Sequence, residues 1–457
     1  MYSEKAKRLV QIVAGLGSAI APFMVSSLIV ATPAIGDEFP ADVALLGWIT
    51  AAFFLTAAAF LVPFGRIADI RGSKRVFTAG MGVYLAAAVV CGLAPGILVL
   101  IAGRALSGLA AAMVFGTSLA LLSLVFPEEE QGRAFGINIT AMFAGFGLGL
   151  LAGGAITYYL SWRVIFAVVA LVAAANIVLI RTRVRGECEI SRTLDYDPVG
   201  MILFSPGVLF FMYGLAEIPA PTGIGALAAG SAALAGFFLW ERRCPHSLIP
   251  QSLLRSRNLG RAVTANIIFT GSSFGIIFIL SLYLQYVTGF DPRSAGLILL
   301  VSQAILIMVG PYSGRLSDRH PPHRIAAAGG AVNAVAMILL ISLTDTTPLV
   351  LVIAALALNG IGIALFMPAV VKWSLRDVHR EDTSLLTGIS ETARLTGNSL
   401  SNTVIIIIFS LVMGGATVTP ETLPLFLAAS RWTVIVYILM ALASTLLAAV
   451  KVMKKNG

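Results

Sequence analysis

Three ionisable side chains, Arg104, Glu391 and Arg394, interrupt stretches that are otherwise apolar, and Glu217 stands near the end of another such stretch. A charge held away from water is costly, so these residues are the first candidates for chemistry. Glu391 and Arg394 are three residues apart, which puts both on one face of a helix. Burial favours the neutral acid and a guanidinium favours the carboxylate, so the protonation of such a pair answers to solvent access. Two readings stay open: a mutually neutralised structural pair, or a site that takes up a proton. Arg104 has no obvious acidic partner and is open between hydrogen bonding to backbone carbonyls and a part in coupling. The histidines His246, His320, His323 and His379 map to polar connections, and Cys91, Cys188 and Cys244 form no C-x-x-C pair. A relay of imidazoles, a metal site and a disulfide framework are therefore not indicated. Nor is there a phosphate-binding loop or a Ser/His/Asp set, which argues against nucleotide-driven or enzymatic chemistry and against any cofactor.

The elements that position these groups follow from composition. Of 457 residues, 58% are hydrophobic and 12% charged, and mean hydropathy is +0.93; a soluble domain carries about 25% charge. The bilayer must be the solvent, and spanning segments must then be helices, because lipid offers backbone groups no partner. Six apolar runs lie between residues 9 and 181, two near 198–218 and 220–240 around the turn Pro219-Ala220-Pro221, and six between 259 and 450. The predicted fold class is an all-α integral membrane protein of fourteen helices. It divides into a six-helix bundle over 1–181, loops and an inserted hairpin over 182–258, and a second six-helix bundle over 259–457. The opening run after Lys5, Lys7 and Arg8 is too long for a signal peptide and reads as the first span.

Of the 31 Lys and Arg, only Arg163, Arg293 and Arg431 fall on segments opposite the termini, with Arg104 and Arg394 inside helices. This asymmetry predicts both termini in the cytoplasm. The net charge of +9 is thus a matter of topology and does not point to nucleic acid. Trp48, Trp162, Trp240, Trp373 and Trp432 lie at predicted helix ends, where an indole meets the interface.

One charged stretch is duplicated. Gly65, Arg66, Asp69, Gly72 and Arg75 follow the second apolar run, and Gly314, Arg315, Asp318 and Arg324 recur in register 249 residues later. Such spacing marks equivalent points in two halves of one body. Asp69 and Asp318 each end a helix at the cytoplasmic side, where a carboxylate is stabilised by guanidinium neighbours and by the positive end of another helix. The stretch reads as a conformational latch; the alternative is that its charges only set topology. Pro321 and Pro322 alter the second copy.

These residues carry a resemblance to the major facilitator superfamily over nearly the whole chain, and the helix count is similar to its drug:proton antiporter branch. The charged loop resembles the family's signature loop. Arg104-Ala105-Leu106-Ser107-Gly108 resembles its fourth-helix motif, and Gly145, Gly149, Gly153 and Gly154 its fifth-helix motif, with Leu150 in place of the usual Pro. Leu284-Gln285, Gly289 and the segment Pro250 to Arg257 resemble the branch's entry into the second bundle. The branch carries an Asp nine residues before a first-helix Pro; counting back from Pro33 gives Met24. The resemblance implies the major facilitator fold and alternating access. It also implies docking of the thirteenth helix, from its capping sequence Asp382-Thr383-Ser384, near Asp69.

The expected function is proton-coupled export of hydrophobic or cationic small molecules by a monomer in the cell membrane, with the proton as coupling ion. The alternatives are a metabolite uniporter or symporter, which the missing Asp favours, and a non-transporting sensor or scaffold. Substrate-cavity candidates are Met24, Ser26, Ser27, Phe53, Phe54, Met113 and Phe115 in the first bundle, with Asn266, Phe269, Phe274, Gln303, Asn398 and Asn402 in the second. Their mostly apolar and aromatic character suits a lipophilic cargo, including a cationic one, since aromatic faces attract cations. Gly145, Gly149 and Gly153 repeat every four residues, the small-residue pattern of close helix contact, with the tenth helix as the partner implied by the family.

Overall fold

A computed structural model describes residues 4–183, 197–218, 220–243, 256–374 and 383–450. Cys188, Cys244, His246, His379, Asp382 and residues 250–255 lie outside the described residues, as do the side chains of Asp318 and Thr383 to Thr387. The described residues form fourteen helices and no strand. In order these are α1 (Glu4–Glu38), α2 (Val43–Arg71), α3 (Ser73–Gly92), α4 (Ile97–Val125), α5 (Glu128–Tyr159), α6 (Arg163–Arg183), α7 (Pro198–Ala216) and α8 (Pro221–Glu241). After them come α9 (Arg257–Val287), α10 (Pro292–Arg319), α11 (Pro322–Leu339), α12 (Leu349–Ser374), α13 (Thr383–Met413) and α14 (Leu423–Ala449).

Thirteen of these helices are long and apolar enough to cross a membrane. The exception is α11, whose 18 residues open on Pro322-His323-Arg324 and carry Asn333 in the middle. It compensates by packing: α11 lies against α12 and α14, and Asn333 is wholly buried.

Two compact units divide the chain. The first holds α1 to α8, without the first residues of α2 but with the opening residues of α10; the second holds the remainder of the described helices. In the first, α1 packs on α4, α5 and α6, α3 on α4 and α6, and α5 touches both its neighbours. In the second, α9 packs on α12, α13 and α14, α11 on α12 and α14, and α13 touches both its neighbours. Each of these pairings in one unit therefore recurs in the other, shifted by eight helices.

The recurrence extends to single residues. A Cβ on Gly108 would strike the Phe53 carbonyl and Thr56, and one on Gly360 would strike the Ser302 carbonyl and Ile305; both α2-type residues are displaced by the same 249 as the charged loops. Gly149 rests on Phe23 and Ser26 just as Gly397 rests on Ile267 and Thr270. Close packing at these crossings, without a hydrophobic drive inside lipid, comes from backbones brought together by missing side chains.

The inserted hairpin belongs to the first unit. Its two helices cross at Gly214 and Gly230, where any Cβ would meet the opposing backbone. Ser205 Oγ donates to the Ala59 carbonyl of α2 at 2.8 Å, and Trp48 and Tyr213 pack ring to ring at 5.8 Å. At its other end Asp197 caps α7, accepting from Gly200 N at 2.9 Å and from Trp240 Nε1 at 3.0 Å.

Candidate functional site

The charged loop between α2 and α3 is a single-residue joint. Gly72 has φ +94° and ψ 127°, a conformation that L side chains rarely adopt. Its N–H donates to the Ala68 carbonyl at 2.9 Å and its carbonyl accepts from Val76 N at 3.3 Å, so α2 ends and α3 begins with little unpaired backbone. Asp69 and Arg66 share the last turns of α2, and Asp69 and Arg75 are exposed. Gly65 lets α4 cross close by, and a Cβ on Gly116 of that helix would lie 3.3 Å from the Gly65 Cα.

The second copy is built differently. Gly314 and Arg315 lie within α10, and Pro321, with φ −56° and ψ 120°, stands where Gly72 stands in the first. Proline fixes the turn that glycine permits in the other half. Arg324 is exposed in the first turn of α11.

In α5 the three spaced glycines face α1, not the tenth helix. A Cβ on Gly145 would lie 2.6 Å from the Ala19 carbonyl, one on Gly149 would strike Ser26 and Phe23, and one on Gly153 would lie 2.5 Å from the Ser27 Cα. Ser26 Oγ donates to the Phe146 carbonyl at 2.7 Å and Ser27 Oγ to the Gly149 carbonyl at 3.0 Å. The start of α10 does touch α5, but through other residues: Gly154 against the Pro292 carbonyl, and Gly296 against the Leu150 backbone. Four-residue spacing keeps a glycine row on one side of a helix, and that side here is taken by the first helix.

Arg104 is fully buried. Its Nε donates to the Ile49 carbonyl of α2 at 3.1 Å, and its guanidinium lies 4.6 Å from the centre of the Phe53 ring. Phe53 is thus a platform for Arg104, and Ser27 is engaged with the α5 backbone. Phe269 stacks on Phe366 with ring centroids 3.8 Å apart in a packed cluster with Trp373, which places it in the core of the second unit. Met113 packs beside Ala68 and Val76. Asn266 Nδ2 donates to the Ser390 carbonyl at 3.0 Å, and Asn402 Nδ2 to the Asn398 carbonyl at 2.9 Å. Met24, Phe54 and Gln303 are buried, and Phe115 and Phe274 half-buried. The amide oxygens of Asn266 and Asn402 are buried without a hydrogen-bond partner among the described residues, which leaves two acceptors on α9 and α13.

On α13, Arg394 Nε donates to Glu391 Oε2 at 2.9 Å and its Nη2 donates to Oε1. The two are about three-quarters covered, at 22% and 26% side-chain exposure.

Sequence reading did not reach one feature, a buried polar chain in the second unit. Asn333 Nδ2 donates to Ser272 Oγ at 3.1 Å, Asn359 Nδ2 to Asn333 Oδ1 at 2.9 Å, and Ser302 Oγ to Asn359 Oδ1 at 3.0 Å. It ties α9, α10, α11 and α12 together. The four residues are scattered over 88 positions, and no local spacing in the sequence joins them. A second unread feature is the break in α9 at Phe274. Ser272 and Ser273 both bond back to the Phe269 carbonyl at 2.8 Å, loosening the helix, and Ser401 Oγ accepts the freed Gly275 N–H at 2.8 Å.

Comparison with known proteins agrees with this architecture. The chain is 29% identical to the multidrug resistance protein Stp of Mycobacterium tuberculosis, over 81% of its own length and 70% of that protein's. It is 26% identical to the tetracenomycin C resistance and export protein of Streptomyces glaucescens, covering 84% and 72%, and 26% identical to the riboflavin transporter RibZ of Clostridioides difficile, covering 79% of each. Among solved structures it superposes on a D-xylose-proton symporter with a TM-score of 0.72 at 13% identity, over 98% of both chains. It also superposes on a bacterial homologue of the lysosomal transporter Spinster with a TM-score of 0.71 at 16% identity, over 98% of this chain and 97% of that one. A family description of the Major Facilitator Superfamily matches residues 14–402. With that match across two units of recurring helix pairings, the chain is a multi-pass membrane transporter of the Major Facilitator Superfamily.

Proposed function

We propose that this transporter exports hydrophobic or cationic small molecules from the cytoplasm across the cell membrane by alternating access, with proton entry as the driving reaction. The observation that carries the reading is the resemblance to proteins named for multidrug resistance and for tetracenomycin C export, over four-fifths of this chain. The interior chemistry supports it. Among the candidate cavity positions, Asn266 and Asn402 keep amide oxygens without a partner among the described residues, neutral acceptors of the kind that orient a lipophilic cargo, and Glu391 is a covered carboxylate whose partner sits on the same helix. Uptake of a proton there would leave the Arg394 cation unpaired, a change of net charge that can bias a conformational equilibrium. The excess of Lys and Arg on the side of the termini supports a cytoplasmic location for both.

A second reading, a metabolite uniporter or symporter, is favoured by one residue. Met24, wholly buried in α1, stands where the antiporter branch carries an acid. Uptake of tetraphenylphosphonium into everted membrane vesicles separates the two. Export by antiport gives accumulation that needs an imposed pH gradient and collapses with a protonophore; equilibration indifferent to the gradient assigns the chain to the second reading.

A further inference from the structure

The internal duplication brings two buried polar nodes into correspondence, and one of them is incomplete. In the second unit the node is the Ser272, Asn333, Asn359 and Ser302 chain, every link of which is hydrogen-bonded. The α2-to-α10 and α3-to-α11 displacement of 249, and the 252 that carries Gly108 onto Gly360, place Tyr84 opposite Asn333, Phe53 opposite Ser302 and Ser107 opposite Asn359. Arg104 then falls opposite Leu356, and Leu28 opposite Ser272 by the 244 that carries Ser26 onto Thr270. The neutral chain of one half is replaced in the other by a cation, and the hydroxyl that closes it is gone.

The replacement leaves donors without acceptors. Arg104 Nε is tied to Ile49 and its face to Phe53, yet Nη1 and Nη2 have no partner among the described residues, and neither has the hydroxyl of Tyr84. Both side chains are at least 99% buried. Ser107 Oγ is spent on the Gly103 carbonyl at 2.9 Å. The acids of α1 to α6 all sit at helix ends; at the end of α1, Asp37 is exposed and Glu38 is held by Arg163 and Trp162. Water could satisfy the hydrogen bonds but not the charge.

We propose that Arg104 and Tyr84 form a site for a compact monovalent anion, which accepts from Nη1, Nη2 and the tyrosine hydroxyl and neutralises the guanidinium. The anion is either a halide that stays with the protein or a carboxylate borne by the cargo. Both side chains are enclosed by protein, so only a small charged end is compatible with native packing density. In its cargo form the inference rests on the export reading, but binding can be measured without transport, so the two fail separately.

The test is the thermal unfolding of the purified full-length protein in detergent at fixed sodium concentration and ionic strength. Sodium chloride, bromide and salicylate are compared with gluconate, a bulky polyhydroxy anion. The expected result is a Tm higher by about 2 °C or more in chloride, bromide or salicylate, absent in Arg104→Gln. Tyr84→Phe, which keeps the charge and the ring, should require about tenfold more anion for half the shift, as one hydrogen bond to a charged group implies. A shift with halides identifies the resident ion, and a shift with salicylate alone assigns the site to an acidic group on the cargo. No shift over gluconate in the wild-type protein, or a shift unchanged in Arg104→Gln and Tyr84→Phe, overturns the proposal.

Discussion

Arg394 grips Glu391 with two parallel hydrogen bonds, from Nε and from Nη2, across a single turn of α13. The fork geometry fixes both carboxylate oxygens, so the pair behaves as a unit whose net charge changes only when the acid takes up a proton. Glu391→Gln keeps the shape and removes that event. In proteoliposomes with a trapped pH-sensitive dye, cargo-driven proton flux should fall to the protein-free background in this variant, while the yield of folded protein is retained. Arg394→Gln should instead keep a measurable flux, because the acid remains. Undiminished flux in Glu391→Gln would remove this residue as the coupling acid.

The joint between α2 and α3 separates backbone from charge. Gly72 holds a positive φ with no atom within 4 Å of where a Cβ would be, so Gly72→Ala adds no clash and only backbone strain, about 1–2 kcal/mol. Asp69→Asn alters a solvent-facing carboxylate and no packing. Thermal unfolding should therefore be lowered by the glycine substitution and unchanged by the aspartate one, whereas transport of tetraphenylphosphonium should be lost in Asp69→Asn. Full transport by Asp69→Asn would reduce the loop to a topological signal.

The contrast between the two copies of this loop shows what the sequence could and could not disclose. Gly65, Asp69 and Arg75 repeat at a fixed displacement because the helices that carry them are duplicated, and that periodicity is visible in a linear string. The count of fourteen helices was legible for the same kind of reason: lipid forces long apolar runs into helices. The direction of a side chain around its helix is set by neighbours distant in sequence. Hence Gly145, Gly149 and Gly153 could be read as a contact face, but that α1 fills it could not. Likewise Phe53 and Phe269 read as cavity aromatics, yet one supports Arg104 and the other stacks on Phe366. Aromatic residues serve core and cavity alike, and composition does not distinguish them.

On α5, two glycines of similar appearance should respond in opposite ways. Gly149 is enclosed by the Phe23 carbonyl and Ser26, while nothing lies within 4 Å of a Cβ at Gly136. Gly149→Ala pushes against backbone, which cannot give as a side chain can, and should cost about 1–3 kcal/mol. Gly136→Ala meets open space in a regular helix and should stabilise by about 0.5–1 kcal/mol. Unfolding temperatures of the two variants, taken side by side in one detergent, check both signs at once.

Asn359 is the hub of the polar chain in the second unit, accepting from Ser302 while its amide donates to Asn333 at 2.9 Å and reaches the Ser273 carbonyl at 3.4 Å. Asn359→Ala strands the Ser302 hydroxyl and the Asn333 carbonyl oxygen in a dry interior. The loss should be about 1–2 kcal/mol, modest because a membrane helix set apart from its neighbours also finds other partners. Replacing both amides removes the Asn333 oxygen and leaves only the Ser302 hydroxyl stranded, so Asn333→Leu combined with Asn359→Leu should recover part of that loss despite being the larger change. Transport by the single variant should persist, since every group in this chain is already satisfied and none is left to meet a ligand. If Asn359→Ala instead abolishes transport at an unchanged unfolding temperature, the chain is part of the transport pathway and the division of labour between the two equivalent nodes fails.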